Sequence, residues 1–394
     1  MGQRAPEKPM LDHIVEIPGD LRRDLGLRRI TTTIVDVPTV RQHKLSQTSI
    51  KAQSYVIVEA QLENGVIGIG EAAMLGGPRW SEESVESIKA NIDAYLAPAL
   101  VGADASQFEQ AGARLDAAAK RNNAAKAALQ SALMDAVGKT LHVPAYAFLG
   151  GAMRKTFPVL WTLASGDPAQ EVEEAEAKLA ARLHKTFKVK IGAQAPQADM
   201  ARLAILAKAL GARATLIVDA NQAWDETTAL RCMHEMADLG IALVEQPLPA
   251  WNIEGMARLR QRCETPLLAD ESVFTTHDML AVARLGAADA VSLKLVKHAS
   301  LSGLQKVAAV AEAAGVALYG GCLLESSIGA AAHLQAFAGL RDLQWGCEHF
   351  GPQILKQDLV VTPLRFEDFH VHLPEGPGLG VELDRSQIAR FARK

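Results

Sequence analysis

Three segments of the chain repeat one design: Leu216-Ile-Val-Asp-Ala-Asn221, Ala242-Leu-Val-Glu-Gln-Pro247 and Leu267-Leu-Ala-Asp-Glu-Ser272. In each of them a short apolar run of strand length ends in an acidic residue, and a helical pattern follows before the next run begins. Strands that alternate with helices at this spacing predict βα units and a parallel sheet. The three segments therefore predict an α/β fold.

The same alternation extends from these segments toward both ends of the chain. Helical stretches follow the first seven of eight apolar runs, for example over 171–183 and 302–314, and Gly or Pro often marks the joints. Eight such runs favour closure into a barrel, and a doubly wound open sheet is the alternative. The eight predicted strands are 159–164, 187–191, 216–220, 242–245, 267–270, 290–295, 317–320 and 343–347.

A smaller domain is predicted before the barrel. Residues 32–37, 55–60 and 65–72 are β-rich, and Asn64-Gly65 between the last two is a strong signal for a hairpin turn. Helical periodicity follows over 84–136. We predict an N-terminal extension at 1–29, an α+β capping domain at 30–155, a (β/α)7β TIM-like barrel at 156–350, and a C-terminal segment at 351–394 that packs back on the cap.

The composition argues against several classes of protein. The 394 residues are 49% hydrophobic and 22% charged, which is typical of a globular chain. A net charge of −4 supplies no field to attract nucleic acid or an anionic membrane. No apolar run approaches the roughly 20 residues of a membrane span. The lack of an apolar signal segment, and four widely spaced cysteines interpreted as buried reduced thiols, predict a cytoplasmic protein.

Asp219, Glu245 and Asp270 end consecutive strands of the predicted barrel. They are 26 and 25 residues apart, one βα unit each, so three strands deliver a carboxylate to the same rim. Three converging acids would repel one another, and a hard divalent cation that takes oxygen ligands, Mg²⁺ or Mn²⁺, resolves the repulsion. Singly, each acid could instead cap a helix or form a loop salt bridge, but the shared period favours a cation site.

Lysines flank the acids on both sides. Lys188 and Lys190 lie on one face of the second strand because strand side chains alternate, and Lys294 ends the sixth strand across the barrel. We expect repulsion from Lys188, together with partial desolvation, to lower the pKa of Lys190 toward that of an acid/base catalyst. The alternative is that these lysines only neutralise the acids.

Two more acids follow the last predicted strands. Glu325, after the seventh strand, is expected to hydrogen-bond the substrate or to orient a lysine. Equally, Glu325 could stabilise the N-terminus of the helix that follows it. Glu348, beyond the eighth strand, is the weaker of the two candidates.

Taken together, these motifs resemble the enolase superfamily, specifically its muconate-lactonising subgroup, over nearly the whole chain from about Ile30. The resemblance implies a (β/α)7β barrel under an α+β cap. The matching segments are Ala-Leu-Met-Asp-Ala-Val-Gly-Lys at 132–139, Phe-Leu-Gly-Gly at 148–151, Lys-Val-Lys at 188–190, Val-Asp-Ala-Asn at 218–221, Val-Glu-Gln-Pro at 244–247, Ala-Asp-Glu-Ser at 269–272 and Leu-Lys-Leu at 293–295.

The resemblance also assigns expected roles to residues. It implies that Lys190 and Lys294 are the acid/base groups, while Lys188 and Glu325 are catalytic candidates from their positions at the rim, and Mn²⁺ or Mg²⁺ is the expected cofactor. The expected metal ligands are Asp219, Glu245 and Asp270, and the expected substrate contacts are Asn221, His43, Lys44 and Trp80.

The function implied by the resemblance is reversible cycloisomerisation of cis,cis-muconate to muconolactone in aromatic (catechol) degradation. It implies a small dicarboxylate substrate and a homo-oligomer, commonly an octamer. Pro78-Arg79-Trp80 in the cap loop and His349 depart from the usual pattern and leave chloromuconate and methylmuconate open as substrates. N-acylamino acid racemases and dipeptide epimerases share the barrel residues. A Schiff-base aldolase and a catalytically silent scaffold barrel are rivals from other classes.

Overall fold

An antiparallel sheet opens the part of the chain described by the computed structural model, which is residues 24–44 and 49–394 without the side chain of Lys44. Most of the predicted extension, residues 1–23, lies outside it. The predicted hairpin turn is confirmed: Gly65 has a φ of 87°, and the Asn64 side chain accepts a hydrogen bond from Val66 N at 3.0 Å. The strands, paired in chain order, are β1 (Leu27–Lys44), β2 (Ser49–Leu62) and β3 (Ile67–Met74).

Helices cover one face of this sheet. One of them is buried on all sides over residues 124–138 and approaches the third strand so closely that a Cβ on Gly70 would lie 2.0 Å from Ala128 O. Glycine is therefore required at that contact. The helices are α1 (Val85–Asn91), a π-helical turn (Ile92–Leu96), α2 (Ala97–Leu100), α3 (Phe108–Ala118), α4 (Asn123–Leu141) and a 3₁₀ turn (Ala145–Leu149).

Seven parallel strands form the barrel wall, and each except the last pairs with the strand that follows it in the chain. A short strand that pairs outside the barrel precedes them. In chain order the strands are β4 (Thr156–Pro158), outside the barrel, and then β5 (Trp161–Leu163), β6 (Thr186–Lys190), β7 (Thr215–Asp219), β8 (Leu243–Glu245), β9 (Leu267–Ala269), β10 (Ala290–Leu293) and β11 (Ala317–Gly320).

The barrel closes at Cys347. This residue makes parallel bridges to Val159, just before β5, and to Gly320 at the end of β11. The eighth predicted run, 343–347, is wrong as a regular strand, because Gly346 has a φ of 64° and its N–H donates to Leu343 O at 2.9 Å in a turn. The first and last strands are nevertheless joined, so the fold is the expected α/β barrel of TIM type with an α+β cap, and not an open doubly wound sheet.

Helices surround the barrel, and capping side chains start most of them. Asp167, Asp225, Asn252, Thr275 and Ser300 each accept a hydrogen bond from a backbone N–H of the first turn. Within the described residues, no helix combines the length and apolar character needed to cross a membrane. The helices are α5 (Pro168–Ala180), α6 (Pro196–Leu210), a 3₁₀ turn (Gly211–Arg213), α7 (Glu226–Asp238), α8 (Ile253–Arg262), α9 (Thr276–Leu285), α10 (Leu295–His298), α11 (Leu301–Ala313) and α12 (Ser327–Ala338).

The chain beyond the barrel runs back along the first domain. Leu355 bridges to Thr39 and Ala392 bridges to Val35, both on β1. The last short strand of this segment pairs with β4. The elements of this C-terminal segment are α13 (Gly351–Ile354), β12 (Phe366–Glu367), β13 (His370–His372) and α14 (Arg385–Phe391).

Candidate active site

Three carboxylates stand at the carboxyl ends of neighbouring barrel strands. Asp219 and Glu245 are the last residues of β7 and β8, and they are paired in register. Because Glu245 pairs with Leu268, Asp270 lies two residues further along and on the same face. All three acids are at most 1% exposed. The structure thus brings together the acids that the spacing singled out, with Asp270 staggered relative to the other two.

Each acid is paired with a lysine, with 2.5 Å between nitrogen and oxygen in every pair. Buried pairs of this kind are sensitive to the loss of one partner, because the remaining charge is left without compensation. The pairs are Lys190–Asp219, Lys188–Glu245 and Lys294–Asp270.

Glu245 is the carboxylate with the fewest partners. Neither of its oxygens accepts a hydrogen bond from the described residues, because the close contact with Lys188 Nζ is not aligned as one. Burial, and then the neighbouring Asp219, raise the pKa of Glu245 well above its ordinary value. Together the three carboxylates form a hard, oxygen-only donor set, and such a set fits Mg²⁺ or Mn²⁺.

Lys190 is the most accessible lysine of the three ion pairs. Its side chain is 15% exposed, against 1% for Lys188 and 4% for Lys294. Burial and the charge of Lys188 would lower the pKa of Lys190, but the carboxylates of Asp219, Glu245 and Glu348 together outweigh both, and the net shift is upward. The expected lowering is therefore wrong for this arrangement of charges. Lys190 is held as a cation, which suits a proton donor.

The cap reaches the site through Trp80. Lys294 Nζ lies 4.6 Å from the centroid of the Trp80 ring, within the range of a cation–π contact. Trp80 in turn stacks on Phe274, with 6.1 Å between ring centroids. The cap loop therefore covers the lysine on the sixth barrel strand.

Of the remaining expected substrate contacts, Asn221 and His43 lie near Lys190. Asn221 Oδ1 accepts a hydrogen bond from Lys190 Nζ at 3.2 Å and so belongs to the site. His43 is buried, and burial followed by the charges of Arg41 and Lys190 lowers its pKa well below the ordinary value, so His43 is a neutral group close to Lys190. The side chain of Lys44 falls outside the described residues.

Among the described residues, Glu348 contacts a lysine of the site and Glu325 does not. Both oxygens of Glu325 accept a hydrogen bond from Leu323 N at 3.0 Å, and within the described chain Glu325 forms no ion pair with a lysine. The expectation that it orients a lysine directly therefore finds no contact. Glu348 forms the ion pair instead, with 2.6 Å between its Oε2 and Lys188 Nζ. It also accepts a hydrogen bond from Tyr319 Oη at 2.9 Å.

Sequence reasoning missed Lys297, which holds Asp270 together with Lys294. Lys297 Nζ donates to Asp270 Oδ1 and to Asp270 O at 2.8 Å and to Ser292 O at 2.7 Å, which uses all three of its protons. The second carboxylate oxygen, Oδ2, is the one that faces Lys294. The available signal was the spacing of three in Lys294-Leu-Val-Lys297, which puts both lysines on one side of a helical turn.

Replacing Lys297 by methionine should lower the free energy of unfolding by about 3 kcal/mol, because a fully buried carboxylate and two carbonyls lose their donor. The measurement is urea unfolding of the metal-free protein. The matched control is Lys306→Met, whose exposed pair with Glu109 should contribute less than about 1 kcal/mol. Equal losses in the two variants would contradict the structural role of Lys297.

A buried carboxyl group joins the cap to the barrel beside Glu325. Glu71, on β3, accepts hydrogen bonds from the Ser326 hydroxyl and, at 3.0 Å, from Ser326 N, where α12 begins. Burial, with a further contribution from Glu325, raises the pKa of Glu71 to about 8 despite the hydrogen bonds from Ser326. Glu71 is therefore protonated in the folded protein at neutral pH.

The contribution of Glu71 to the free energy of unfolding should fall as the pH rises from about 5 to about 8. Above the ordinary pKa of 4.5 the unfolded chain loses the Glu71 proton, whereas the folded chain keeps it up to about 8. Each unit of pH in this window therefore favours unfolding by up to about 1.4 kcal/mol. Urea unfolding of the wild type and of Glu71→Gln across the window isolates this contribution, and the stability of the wild type relative to the variant should fall as the pH rises. The same pH dependence in both proteins would contradict the assignment to Glu71.

Two family descriptions match the chain. Residues 29–150 match the family described as Mandelate racemase / muconate lactonizing enzyme, N-terminal domain, and residues 170–387 match Enolase C-terminal domain-like. The two matches fall on the cap and on the barrel with its C-terminal segment.

Individual relatives resemble the chain over almost their whole length. Muconate cycloisomerase 1 from Pseudomonas putida is 45% identical over 370 residues, which cover 93% of this chain and 99% of that protein. A chloromuconate cycloisomerase from Cupriavidus necator is 44% identical over 369 residues, covering 94% and 100%. The crystal structure of muconate lactonizing enzyme from Pseudomonas fluorescens complexed with muconolactone superposes with a TM-score of 0.93 at 43% identity, covering 94% of this chain and 100% of that one.

Proposed function

The chain belongs to the mandelate racemase / muconate lactonizing enzyme family of the enolase superfamily, and from this premise we propose that it is an enzyme that converts cis,cis-muconate to muconolactone. The observation that carries the proposal is the row formed by Lys190, Asp219 and Glu245, which are adjacent in register on three neighbouring strands. This row puts a protonated lysine directly beside the carboxylates that can hold a cation.

Asp219, Glu245 and Asp270 are the ligands that we assign to a divalent cation, Mn²⁺ or Mg²⁺. When bound there, the cation supplies positive charge that binds one substrate carboxylate and stabilises the negative charge that develops next to it. The oxygen-only donor set and the unpartnered oxygens of Glu245 support the assignment.

The reaction is an isomerisation that needs no second substrate. One carboxylate of muconate adds to a double bond of the same molecule, and Lys190 donates a proton to the α-carbon that the addition leaves electron-rich. The raised pKa of Lys190 supports this role, because the lysine carries the required proton at neutral pH. Lys294, on the other side of the acids, contributes positive charge near the developing enolate, and Trp80 covers it from the cap.

We further propose a homo-oligomeric assembly, which the family resemblance implies, and a cytoplasmic location, which the four cysteines interpreted as reduced thiols support. Light scattering coupled to size-exclusion chromatography measures the assembly directly, and an octamer is the expected result.

The test of the function is the loss of muconate ultraviolet absorbance. We expect turnover of muconate when Mn²⁺ or Mg²⁺ is added to chelator-treated protein and no turnover without a metal ion. Chloromuconate and methylmuconate, assayed in parallel, define the preference for ring substituents. Solvent deuterium exchange into N-acylamino acids without consumption of muconate would instead assign the protein to the racemase alternative.

A further inference from the structure

Glu325, His333 and His349 form a buried cluster close to Lys294, which we call the His333–His349 cluster. Each of the three residues is at most 2% exposed. One carboxylate oxygen or ring nitrogen from each lies within 4.8 Å of the others, and the two imidazole rings are 4.3 Å apart between centroids. The cluster lies where helix α12 packs against the residues that follow barrel closure.

His349 is the member with no partner. Neither ring nitrogen makes a hydrogen bond with any described residue, and the ring packs against Phe337 at 5.5 Å between centroids. A buried polar group without a partner is costly, so native proteins seldom keep one without a ligand, an ion or a water molecule. The imidazole therefore points to a ligand that completes its bonding.

His333 is already oriented as a ligand. Because Leu295 N–H can only donate, its 2.9 Å contact shows that His333 Nε2 carries the lone pair, so Nδ1 carries the proton and donates to Gly329 O at 2.8 Å. A histidine that coordinates a metal typically donates its other N–H to a carbonyl in this way. Burial lowers the pKa of His333 to about 4, which keeps the ring neutral. A bound cation would take over the lone pair that Leu295 N–H now occupies.

Glu325 supplies the negative charge of the cluster. Its Oε1 is 4.0 Å from His333 Nε2 without a hydrogen bond between them. Burial, with a further contribution from Glu348, raises the pKa of Glu325 to about 7 despite its hydrogen bonds to backbone N–H groups. A cation in this place would favour the ionised form of the carboxylate.

We propose that Glu325, His333 and His349 bind a divalent transition-metal ion, with Zn²⁺ as the best-suited ion, at a site separate from the three carboxylates. Two imidazoles and one carboxylate are a ligand set for zinc, whereas Mg²⁺ and Mn²⁺ prefer oxygen donors. Tetrahedral zinc with bonds of about 2.0–2.1 Å keeps its ligand atoms about 3.3 Å apart. The atoms now lie within 4.8 Å, so binding draws the side chains inward by at most about 1.5 Å.

The site is coupled to the active site through one hydrogen bond. Leu295, whose N–H donates to His333, directly follows Lys294 and is the first residue of α10. Coordination of His333 would release this N–H, so occupation of the cluster changes the backbone next to a lysine of the active site.

Metal binding by chelator-treated, full-length protein tests the proposal without substrate. Zn²⁺ is titrated in competition with a chromophoric chelator, and Co²⁺ is added separately as a spectroscopic probe, because tetrahedral Co²⁺ with nitrogen ligands absorbs more strongly in the visible than Co²⁺ bound by oxygens alone. We expect His349→Leu to bind one equivalent of Zn²⁺ less than the wild type and to lack the strong Co²⁺ bands. The matched control is His298→Leu, at a buried histidine outside the cluster whose Nε2 also has no partner, and it should bind Zn²⁺ like the wild type.

Thermal unfolding, measured without metal and with excess Zn²⁺, provides a second readout. The two conditions should affect the unfolding temperatures of the wild type and of His349→Leu differently. Without metal, His349→Leu should unfold at a higher temperature than the wild type, because leucine removes an unpartnered imidazole from an apolar site. With excess Zn²⁺ the wild type should gain stability that the variant does not gain. Absence of the strong Co²⁺ bands in the wild type, or equal Zn²⁺ stoichiometry in wild type and His349→Leu, would overturn the proposal whether or not muconate is turned over.

Discussion

Replacement of Lys190 by alanine should reduce kcat for muconate cycloisomerisation by about 1000-fold or more. A positioned acid or base contributes about 10²–10⁴ to the rate, and Lys190 is the proton donor that we assign to the α-carbon. The structure places its ammonium group 2.5 Å from Asp219 and leaves its side chain the most open of the three paired lysines. Alanine can neither donate the proton nor supply the charge.

The measurement for Lys190→Ala is steady-state loss of muconate absorbance, accompanied by titration of Mn²⁺. We expect Mn²⁺ binding to persist, because the three carboxylates remain and Asp219 is freed from its lysine. Lys185→Ala is the matched control, since Lys185 is exposed and immediately precedes the same strand. Lactone formation near the original rate in Lys190→Ala would refute the assignment of this lysine.

Replacement of Glu245 by glutamine should weaken Mn²⁺ binding by more than about 100-fold and reduce turnover at least as much. Loss of a hydrogen-bonding partner behind a metal ligand already costs about 10–100-fold, so loss of a ligand charge should cost more. Glu245 is on the strand between those that lead to the other two acids, and neither of its oxygens has a hydrogen-bond partner in the described chain. Glutamine keeps the shape of the side chain and removes its charge.

Mn²⁺ titration followed by paramagnetic resonance measures this effect independently of activity. The variant should still fold, because Lys188 retains Glu348 at 2.6 Å as a counter-charge. Glu226→Gln, at an exposed pair with Arg258, is the control and should bind Mn²⁺ normally. Unchanged Mn²⁺ affinity in Glu245→Gln would mean that the cation is held elsewhere.

Much of the barrel was predictable because its signals are local. The apolar runs that end in Asp219 and Glu245 became strands β7 and β8, and Asn64-Gly65 formed the hairpin turn. The prediction of a strand at 343–347 was wrong because the composition of this run is typical of a strand, whereas Gly346 adopts a left-handed conformation and turns the chain. A turn of this kind depends on one backbone angle and leaves the pattern of apolar residues unchanged.

The sequence predicted which residues of the site carry charge, but it did not predict the direction in which the pKa of Lys190 shifts. The period of two placed Lys188 and Lys190 on one face, and proximity along the chain suggested that each would repel the other. The structure places Asp219, from the next strand, 2.5 Å from the Lys190 ammonium group, and this carboxylate together with Glu245 and Glu348 reverses the direction of the pKa shift. Coulomb energy depends on distance in space, and distance along the chain is a poor guide to it.

The sequence by itself determined the order of strands and helices, the face of each strand that carries charge, and the rim where three carboxylates meet. These properties follow from hydrophobic periodicity, which acts over neighbouring residues. Only the tertiary structure decided that Lys297 holds Asp270, that Glu348 rather than Glu325 pairs with a lysine, and that His349 meets His333 without a hydrogen bond. Those contacts join side chains from separate βα units, and they exist only because closure of the barrel brings distant segments within a few ångströms of one another.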